Sequence, residues 1–415
     1  MYEYHTLDNG IRIILNHTPS RVVYSGVYVG VGSRDEAGAD EGMAHFIEHS
    51  LFKGTTHRRA HHIQNRIDGV GGELNAFTTK EETAVYASSL REHLPRCLEL
   101  FADILFHSSF PEAEIEKEKE VVIEEIDSYN DSPSELIFDH FEEMAYEGHP
   151  LAHNILGTKR NVRRFTPERL RRHMTSLYTP RRMVVSVVGD VDFGQLVRLC
   201  EHHFGCMPPA GQQGTAPVQP ERRESQGDRP LFHRFERHMN RHTHQAHLLV
   251  GCEAPDIYQP DKTAFSLLNN ILGGPAMNSR LNVAIRERYG FCYTVESQYV
   301  PFSDTGLFYV YAGTDQGTQE RVIGLIRREL RHMAETALTE RQLRLAQRQY
   351  IGQMAINNDI GLNEMQSIGK AFLYFDRVDT LEEMNRDILA VTAHDIQALA
   401  DEYLSEARLS YLYYR

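Results

Sequence analysis

Apolar residues alternate with polar or small ones through RVVYSGVYVGVGS (Arg21 to Ser33), ETAVYASSL, RMVVSVVGDV, HQAHLLVGCEA (His244 to Ala254), GLFYVYAGT and the terminal RLSYLYYR. A period of two predicts strands. REHLPRCLELFADILF and TQERVIGLIRRELRHMAETAL instead repeat their apolar positions every three to four residues, as amphipathic helices do. The two kinds of element do not follow a regular β-α-β-α succession. The expected class is therefore α+β, a mostly antiparallel sheet packed with helices, occurring twice.

The stretch from Pro208 to Pro230, PPAGQQGTAPVQPERRESQGDRP, has no apolar period and is rich in Pro, Gly, Gln and charge, which reads as a linker. It predicts a domain over 1–207, a linker over 208–230 and a second domain over 231–415. Halves of similar length invite a comparison, because a duplicated unit leaves a repeated pattern. GMAHFIEHSLFKG in the first half and KTAFSLLNNILGG in the second share their apolar scaffold when laid together without gaps. Phe265 then falls at His45, Leu268 at Glu48 and Asn269 at His49. FPEAEIEKEKEVVIEEI (Phe110 to Ile126) and LTERQLRLAQRQYIGQM (Leu338 to Met354) align the same way, with Ala346 at Glu118 and Gln353 at Glu125. A duplicated fold with one working copy would read like this.

The polar residues found in only one copy point to a metal. Asp40 and Glu41 sit at a helix start and Gly54 follows a last turn, so Gly42 to Lys53 is predicted helical. Residues four apart share a helix face, so His45 and His49 project their imidazoles to one side. Glu48 stands beside them, able to reach a water on the same ion. A catalytic zinc takes three protein ligands and a water, so a third ligand is needed. The helix after Pro111 offers it: its apolar stripe runs Ile115, Val122, Ile126, and helical spacing puts Glu118 and Glu125 on or beside that stripe. Buried unpaired carboxylates are costly, so two of them facing a core ask for a cation. The nearby Glu112, Glu114, Glu116, Glu120 and Glu124 read as a solvated face. His238, His242, His244 and His247 form a rival cluster, but His244 and His247 enter a strand, where they fall on opposite faces. GVGSRD (Gly30 to Asp35) reads as a turn, since Asp35 occupies the third glycine's place of a dinucleotide loop.

Composition narrows the partners. Of 415 residues, 41% are hydrophobic and 25% charged, a globular balance. The 44 basic and 58 acidic residues give a formal charge of -14, which disfavours a nucleic-acid partner. No apolar run is long enough to span a membrane, and the opening MYEYHTLDNGIRIIL lacks the basic start of a signal peptide, so a cytoplasmic location is the default expectation. Cys97, Cys200, Cys206, Cys252 and Cys292 are scattered and odd in number, which argues against a disulfide framework.

H-x-x-E-H with a glutamate downstream resembles the inverzincins. More specifically, the chain resembles the pitrilysin family, which includes insulin-degrading enzyme and the mitochondrial processing peptidase. TLDNGIRIIL, GMAHFIEHSLFKGT, GGELNAFTTKEETAVYA, EKEKEVVIEEI, HPLAHNILGT, YTPRRMVVSVVGDVD and GGPAMNSRLNVAIRERYGFCYTVES occur in the family's order over nearly the whole chain. The resemblance implies a zinc metalloendopeptidase with one Zn2+ per chain, His45, His49 and Glu125 as ligands, Glu48 as general base and Glu118 as a carboxylate supporting the site. It also implies that Asn75 and Ala76 bind the substrate backbone along a strand edge, and that Arg286 and Tyr293 steady the scissile carbonyl or its tetrahedral intermediate. Members of this length assemble from two chains around a chamber, which implies peptide substrates and a homodimer, or a heterodimer with a zinc-less homologue. Two other readings use the same residues: a non-catalytic partner subunit with this fold, and a zinc hydrolase of a non-peptide amide. The intact His45, Glu48, His49 and Glu125 weigh against the first, and the Asn75 edge with Arg286 and Tyr293 against the second.

Overall fold

The computed structural model describes residues 2–206, 229–241 and 243–415, so the predicted linker lies outside it apart from Arg229 and Pro230. The first half supplies strands β1 (Tyr2–Thr6), β2 (Arg12–His17), β3 (Val22–Val29), β4 (Glu73–Thr78), β5 (Thr83–Leu90) and β6 (Met183–Gly189). The second half supplies β7 (Glu236–Met239), β8 (Gln245–Ala254), β9 (Cys292–Pro301), β10 (Gly306–Asp315) and β11 (Ser410–Tyr414). Helices of the first half are α1 (Met43–Ser50), α2 (Ala60–Asp68), α3 (Leu94–Phe106), α4 (Glu112–Asn130), α5 (Pro133–Ala145), α6 (Lys159–Val162), α7 (Pro167–Leu177) and α8 (Phe193–Phe204). Those of the second are α9 (Lys262–Gly273), α10 (Gln319–Glu335), α11 (Glu340–Asn358), α12 (Gly361–Phe375), α13 (Leu381–Ala390) and α14 (Ala393–Leu404).

The strands form two sheets, in the orders β1-β2-β6-β3-β5-β4 and β7-β11-β8-β10-β9. β2 with β6 and β11 with β7 are parallel pairs, and every other pairing is antiparallel. Without β1 the orders are the same pattern, parallel pair at the same edge and hairpin at the other. The duplication suggested by two helix overlays thus extends through both sheets. On one face of the first sheet, Ile13, Leu15, Val23, Val27, Val85, Val185 and Val187 are fully or almost fully buried with α1, α3 and α8 side chains; Leu248, Val250, Phe308, Val310 and Tyr411 do the same in the second.

Two compact units result: Met1–Asp127 with His153–Glu221 and Ile356–Val378, and Ser128–Ala152 with Arg222–Ala355 and Asp379–Arg415. A single cut at the linker does not describe them, because α12 packs in the first unit and α5 in the second. α12 is tied down at both ends. Tyr2 Oη and Asn16 Nδ2 donate to Glu364 Oε1 near its start, and Arg12 Nη1 donates to the Phe372 carbonyl and Asp376 Oδ1 at its end. A guanidinium there adds a second donor to a carbonyl that also accepts the Asp376 amide, and its charge suits the negative end of the helix dipole. In the second unit α5 sets Ile137 and Phe141 into a cluster with Leu249, Leu307 and Leu412, and His140 bonds Tyr414 Oη at 2.5 Å. All five cysteines are free thiols, four of them buried. Among the described residues no helix is long and apolar enough to cross a membrane.

Candidate metal centre

α1 forms because Met43, Phe46, Ile47 and Leu51 recur at helical spacing and are completely buried against the core, which leaves His45, Glu48 and His49 to look elsewhere. It is shorter than the predicted Gly42 to Lys53 span, closing in a turn in which the Lys53 amide bonds the Ser50 carbonyl. Nor do Asp40 and Glu41 cap it. Asp40 pairs with Arg169 and Glu41 faces His153, while the carboxylate of Glu36 accepts the Gly42 amide at 2.7 Å and the Ala44 amide at 2.5 Å.

α4 brings the carboxylates. Ile115, Val122 and Ile126 are buried as the stripe predicts, and Glu118 lies with them at 4% exposure. Glu125 stands at the border of the stripe, its side chain 42% exposed, yet its Oε2 is screened from solvent and makes no hydrogen bond among the described residues. His45 Nε2 lies 3.8 Å from Glu125 Oε1, and His49 Nε2 lies 3.4 Å from Glu125 Oε2. One ligand atom from each residue falls within 4.8 Å of the others, and among the described residues this is the one such trio of His, Cys or acidic groups. Bonds of about 2 Å in a tetrahedral zinc site put ligand atoms about 3.3 Å apart, so the observed spacings fit that ion with small adjustments. Borderline-soft imidazoles with one carboxylate also match zinc's preference.

Support comes from neighbouring side chains. His49 Nδ1 is 2.9 Å from Glu118 Oε1, leaving Nε2 toward Glu125, and Lys53 Nζ holds Glu118 Oε2 at 2.6 Å. Burial works against charge on Glu118, but the bonds from His49 and Lys53 outweigh it and keep this carboxyl below the ordinary range. Burial also opposes charge on His49, yet the Glu118 bond and the charges of Glu125 and Glu48 raise its pKa. His45 goes the other way: burial, with His49 adding, pushes it down to about 3, so its imidazole is neutral and free to ligate. Glu48 is raised by burial, against a hydrogen bond from Thr78 Oγ1 to its Oε2 at 2.8 Å. Thr78, Lys53 and Glu36 escaped the sequence reading. Thr78 lies two residues beyond Ala76 in β4, which alternation places on the same sheet face as Ala76, a signal available in GGELNAFTT but not used.

Asn75 and Ala76 lie in β4, which among the described residues pairs with β5 alone and forms one edge of the first sheet. Asn75 is exposed there and Ala76 half-buried. Arg286 and Tyr293 belong to the second unit: Arg286 is exposed on the helical turn Asn282–Glu287, and Tyr293, 68% exposed, begins near the start of edge strand β9. At the second unit's counterpart, Phe265 and Leu268 are fully buried, Phe265 against the rings of Tyr299, Phe308 and Tyr403. The rival histidines are dispersed. His238 stacks on Tyr413, His244 is exposed, His247 is buried against Tyr311 Oη at 2.8 Å, and His242 lies outside the described residues.

Comparison with known proteins gives the family and the fold. Residues 12–159 match the family model described as insulinase (peptidase family M16), and residues 164–350 match that of the peptidase M16 inactive domain. The chain is 33% identical over 407 residues to the uncharacterised zinc protease YmxG of Bacillus subtilis, covering 98% of this chain and 96% of that one. An uncharacterised zinc protease of Mycobacterium leprae is 35% identical over 402 residues, covering 97% of this chain and 89% of its own. Among solved structures, a protease from Helicobacter pylori superposes with a TM-score of 0.91 at 21% identity, over 100% of this chain and 99% of that chain. A peptidase M16 inactive domain from Pseudomonas fluorescens superposes at 0.89 and 19% identity, over 100% and 97%. At such identities these two speak for the fold.

Proposed function

The chain belongs to the M16 insulinase family of peptidases, and from that premise we propose that it is a zinc-dependent endopeptidase hydrolysing peptides or unfolded segments. The observation that carries the reading is the convergence of one ligand atom each from His45, His49 and Glu125 within 4.8 Å of one another, with Glu48 beside them. His45, His49 and Glu125 would hold one zinc, which when bound acidifies water and polarises a carbonyl.

The remaining chemistry belongs to the chain. Glu48 Oε2 is taken by Thr78, which leaves Oε1 to receive a proton from the attacking water and return it to the leaving amine nitrogen as the C–N bond breaks. Burial raises the pKa of this carboxyl, against the Thr78 bond and the charge of His49, which makes it a better proton acceptor than an exposed glutamate. An extended peptide adding to the edge strand β4 would be held through its backbone at Asn75 and Ala76, which tolerates many sequences. Arg286 and Tyr293 are assigned to the substrate carbonyl by the family pattern alone. A homodimer enclosing the site is the assembly expected of a chain of this length, and light scattering tests it.

The experiment for the activity is a cleavage-site survey of a peptide library by mass spectrometry. It is run on zinc-loaded protein, on chelated protein and on chelated protein with zinc restored. Internal cleavages that vanish with chelator and return with zinc are expected. A zinc-loaded protein that leaves the library intact would favour the alternative of a non-catalytic subunit.

A further inference from the structure

α1 has eight residues, and its N-terminus is unusual in what it cannot have. The N-cap is Gly42, at φ 88° and ψ 3°. A Cβ there would sit 2.7 Å from the Leu156 carbonyl oxygen and 2.8 Å from Gly157 Cα. The Ser, Thr, Asp or Asn that normally caps a helix is thereby excluded, both by the left-handed backbone and by the chain packed behind it. The first amides of a helix need acceptors all the same. Glu36 supplies them from six residues upstream, one oxygen to Gly42 and the other to Ala44, while buried to 2% exposure.

Glu36 is itself well fixed. It follows the turn Ser33–Asp35, where Asp35 Oδ2 accepts the Gly32 amide at 3.0 Å. The Ser33 and Arg34 amides bond the carbonyls of Thr79 and Lys80, in the loop that joins β4 to β5. Its carboxylate therefore ties the start of α1 to the strand pair that carries Asn75 and Thr78.

The two histidines differ in how their rings are held. His49, in the last turn of α1, has Nδ1 against Glu118. His45, in the first turn and next to Ala44, has a buried Nδ1 with no hydrogen bond. Ligating histidines are ordinarily aimed by a partner on the second nitrogen. For His45 that restraint is lacking among the described residues, and the backbone beneath it must do the aiming. We propose that Glu36 is the positioning residue for His45, holding the first turn of α1 so that Nε2 faces the metal. The proposal rests on the zinc site proposed above.

Glu36→Gln keeps the shape and one acceptor oxygen, and Glu36→Ala keeps neither. Zinc dissociation constants by chelator competition should weaken about 10-fold for Gln, and by more for Ala, the range typical of residues that orient ligands. Cobalt-loaded variants should show shifted or weakened visible bands, because one ligand no longer sits squarely on the ion. Both readouts are taken well below the melting temperature, where a purely structural loss leaves the folded protein's affinity and spectrum unchanged. Wild-type affinity and spectrum in both variants overturn the assignment of Glu36 while leaving the metal site standing. Failure of wild-type protein to bind zinc or cobalt at all overturns the metal site first. If the variants do not fold, hydrogen exchange on wild-type protein decides: protection of the Gly42 and Ala44 amides equal to the middle of α1 is expected, and exchange at loop rates refutes the cap.

Discussion

α1 with α4 in the first unit and α9 with α11 in the second are the same structural pair on the same strand topology, and their interiors follow opposite rules. In the second, Phe265 and Leu268 close the space with apolar atoms, and Asn269, at the place of His49, is the polar exception. In the first, His45, His49, Glu118 and Glu125 leave polar atoms facing one another, some of them without a hydrogen bond. The fold plainly tolerates the apolar solution. The polar one costs desolvation of each group and is retained where a cation and a reaction offset it.

The largest effect should come from removing the proton carrier while sparing the site. Glu48→Gln is expected to lower turnover of a quenched peptide by about 10²- to 10⁴-fold, the usual worth of a general base. Zinc content should stay at that of the wild type, because no ligand is lost. Undiminished turnover would detach Glu48 from the chemistry. Next comes His49→Asn, which gives the first unit the residue that the second has at this place. Zinc retained through gel filtration should fall from about one per chain to a trace, since two protein ligands are too few for a closed site. Full retention would mean that the ion sits elsewhere and that the two units differ for another reason.

The cost of the polar solution should also be visible as pH dependence at Glu36. Burial pushes its carboxyl up to about 8, with the two amide bonds working against the shift and Asp35 and Glu41 adding to it. In the unfolded chain a glutamate titrates near 4.3. The folded state thus holds this proton more tightly than the unfolded state does. The contribution to stability is full below about pH 4 and is lost as pH rises toward 8. Glu36→Gln removes the titration. In urea melts of metal-free protein, the stability of wild type minus that of Glu36→Gln should fall by a few kcal/mol between about pH 5 and pH 8. A difference that stays level across that window would mean that burial does not act on Glu36 as described.

These tests bear on what a sequence can disclose. The α1 and α9 overlay was legible because both segments keep one apolar face, and a missing polar triplet stands out against a shared background. Glu118 and Glu125 were legible because a carboxylate on or beside an apolar stripe needs a reason. Glu36 was not, since short-range capping rules look at the residue before the helix and found Asp40 and Glu41, whereas the cap reaches back over a loop to avoid a crowded Gly42. The placement of α5 and α12 was hidden for a different reason. An amphipathic pattern states that a face will be buried but not against which sheet, and a linker at mid-chain suggests a cut that the packing ignores.

That exchange yields the smallest and most local prediction. Gly26 in β3 pairs with Tyr86, and Gly251 in β8 pairs with Tyr309, at matching places in the two sheets. Each lies beneath a helix drawn from the other half of the chain. A Cβ on Gly26 would come 3.0 Å from Tyr86 Cβ and 3.2 Å from Met365 Sδ of α12, and a methionine can swing aside. On Gly251 it would come 2.5 Å from the Phe308 carbonyl oxygen and 2.8 Å from the Phe141 ring of α5, neither of which moves easily. Overpacking of this kind ordinarily costs about 1–3 kcal/mol. Gly26→Ala should fall near the low end and Gly251→Ala at or beyond the high end, read from urea melts. Equal losses would show that Phe141 yields as readily as Met365, so that α5 is held more loosely over its sheet than the ring contacts of Phe141 with Phe235 and Phe138 with Tyr309 imply.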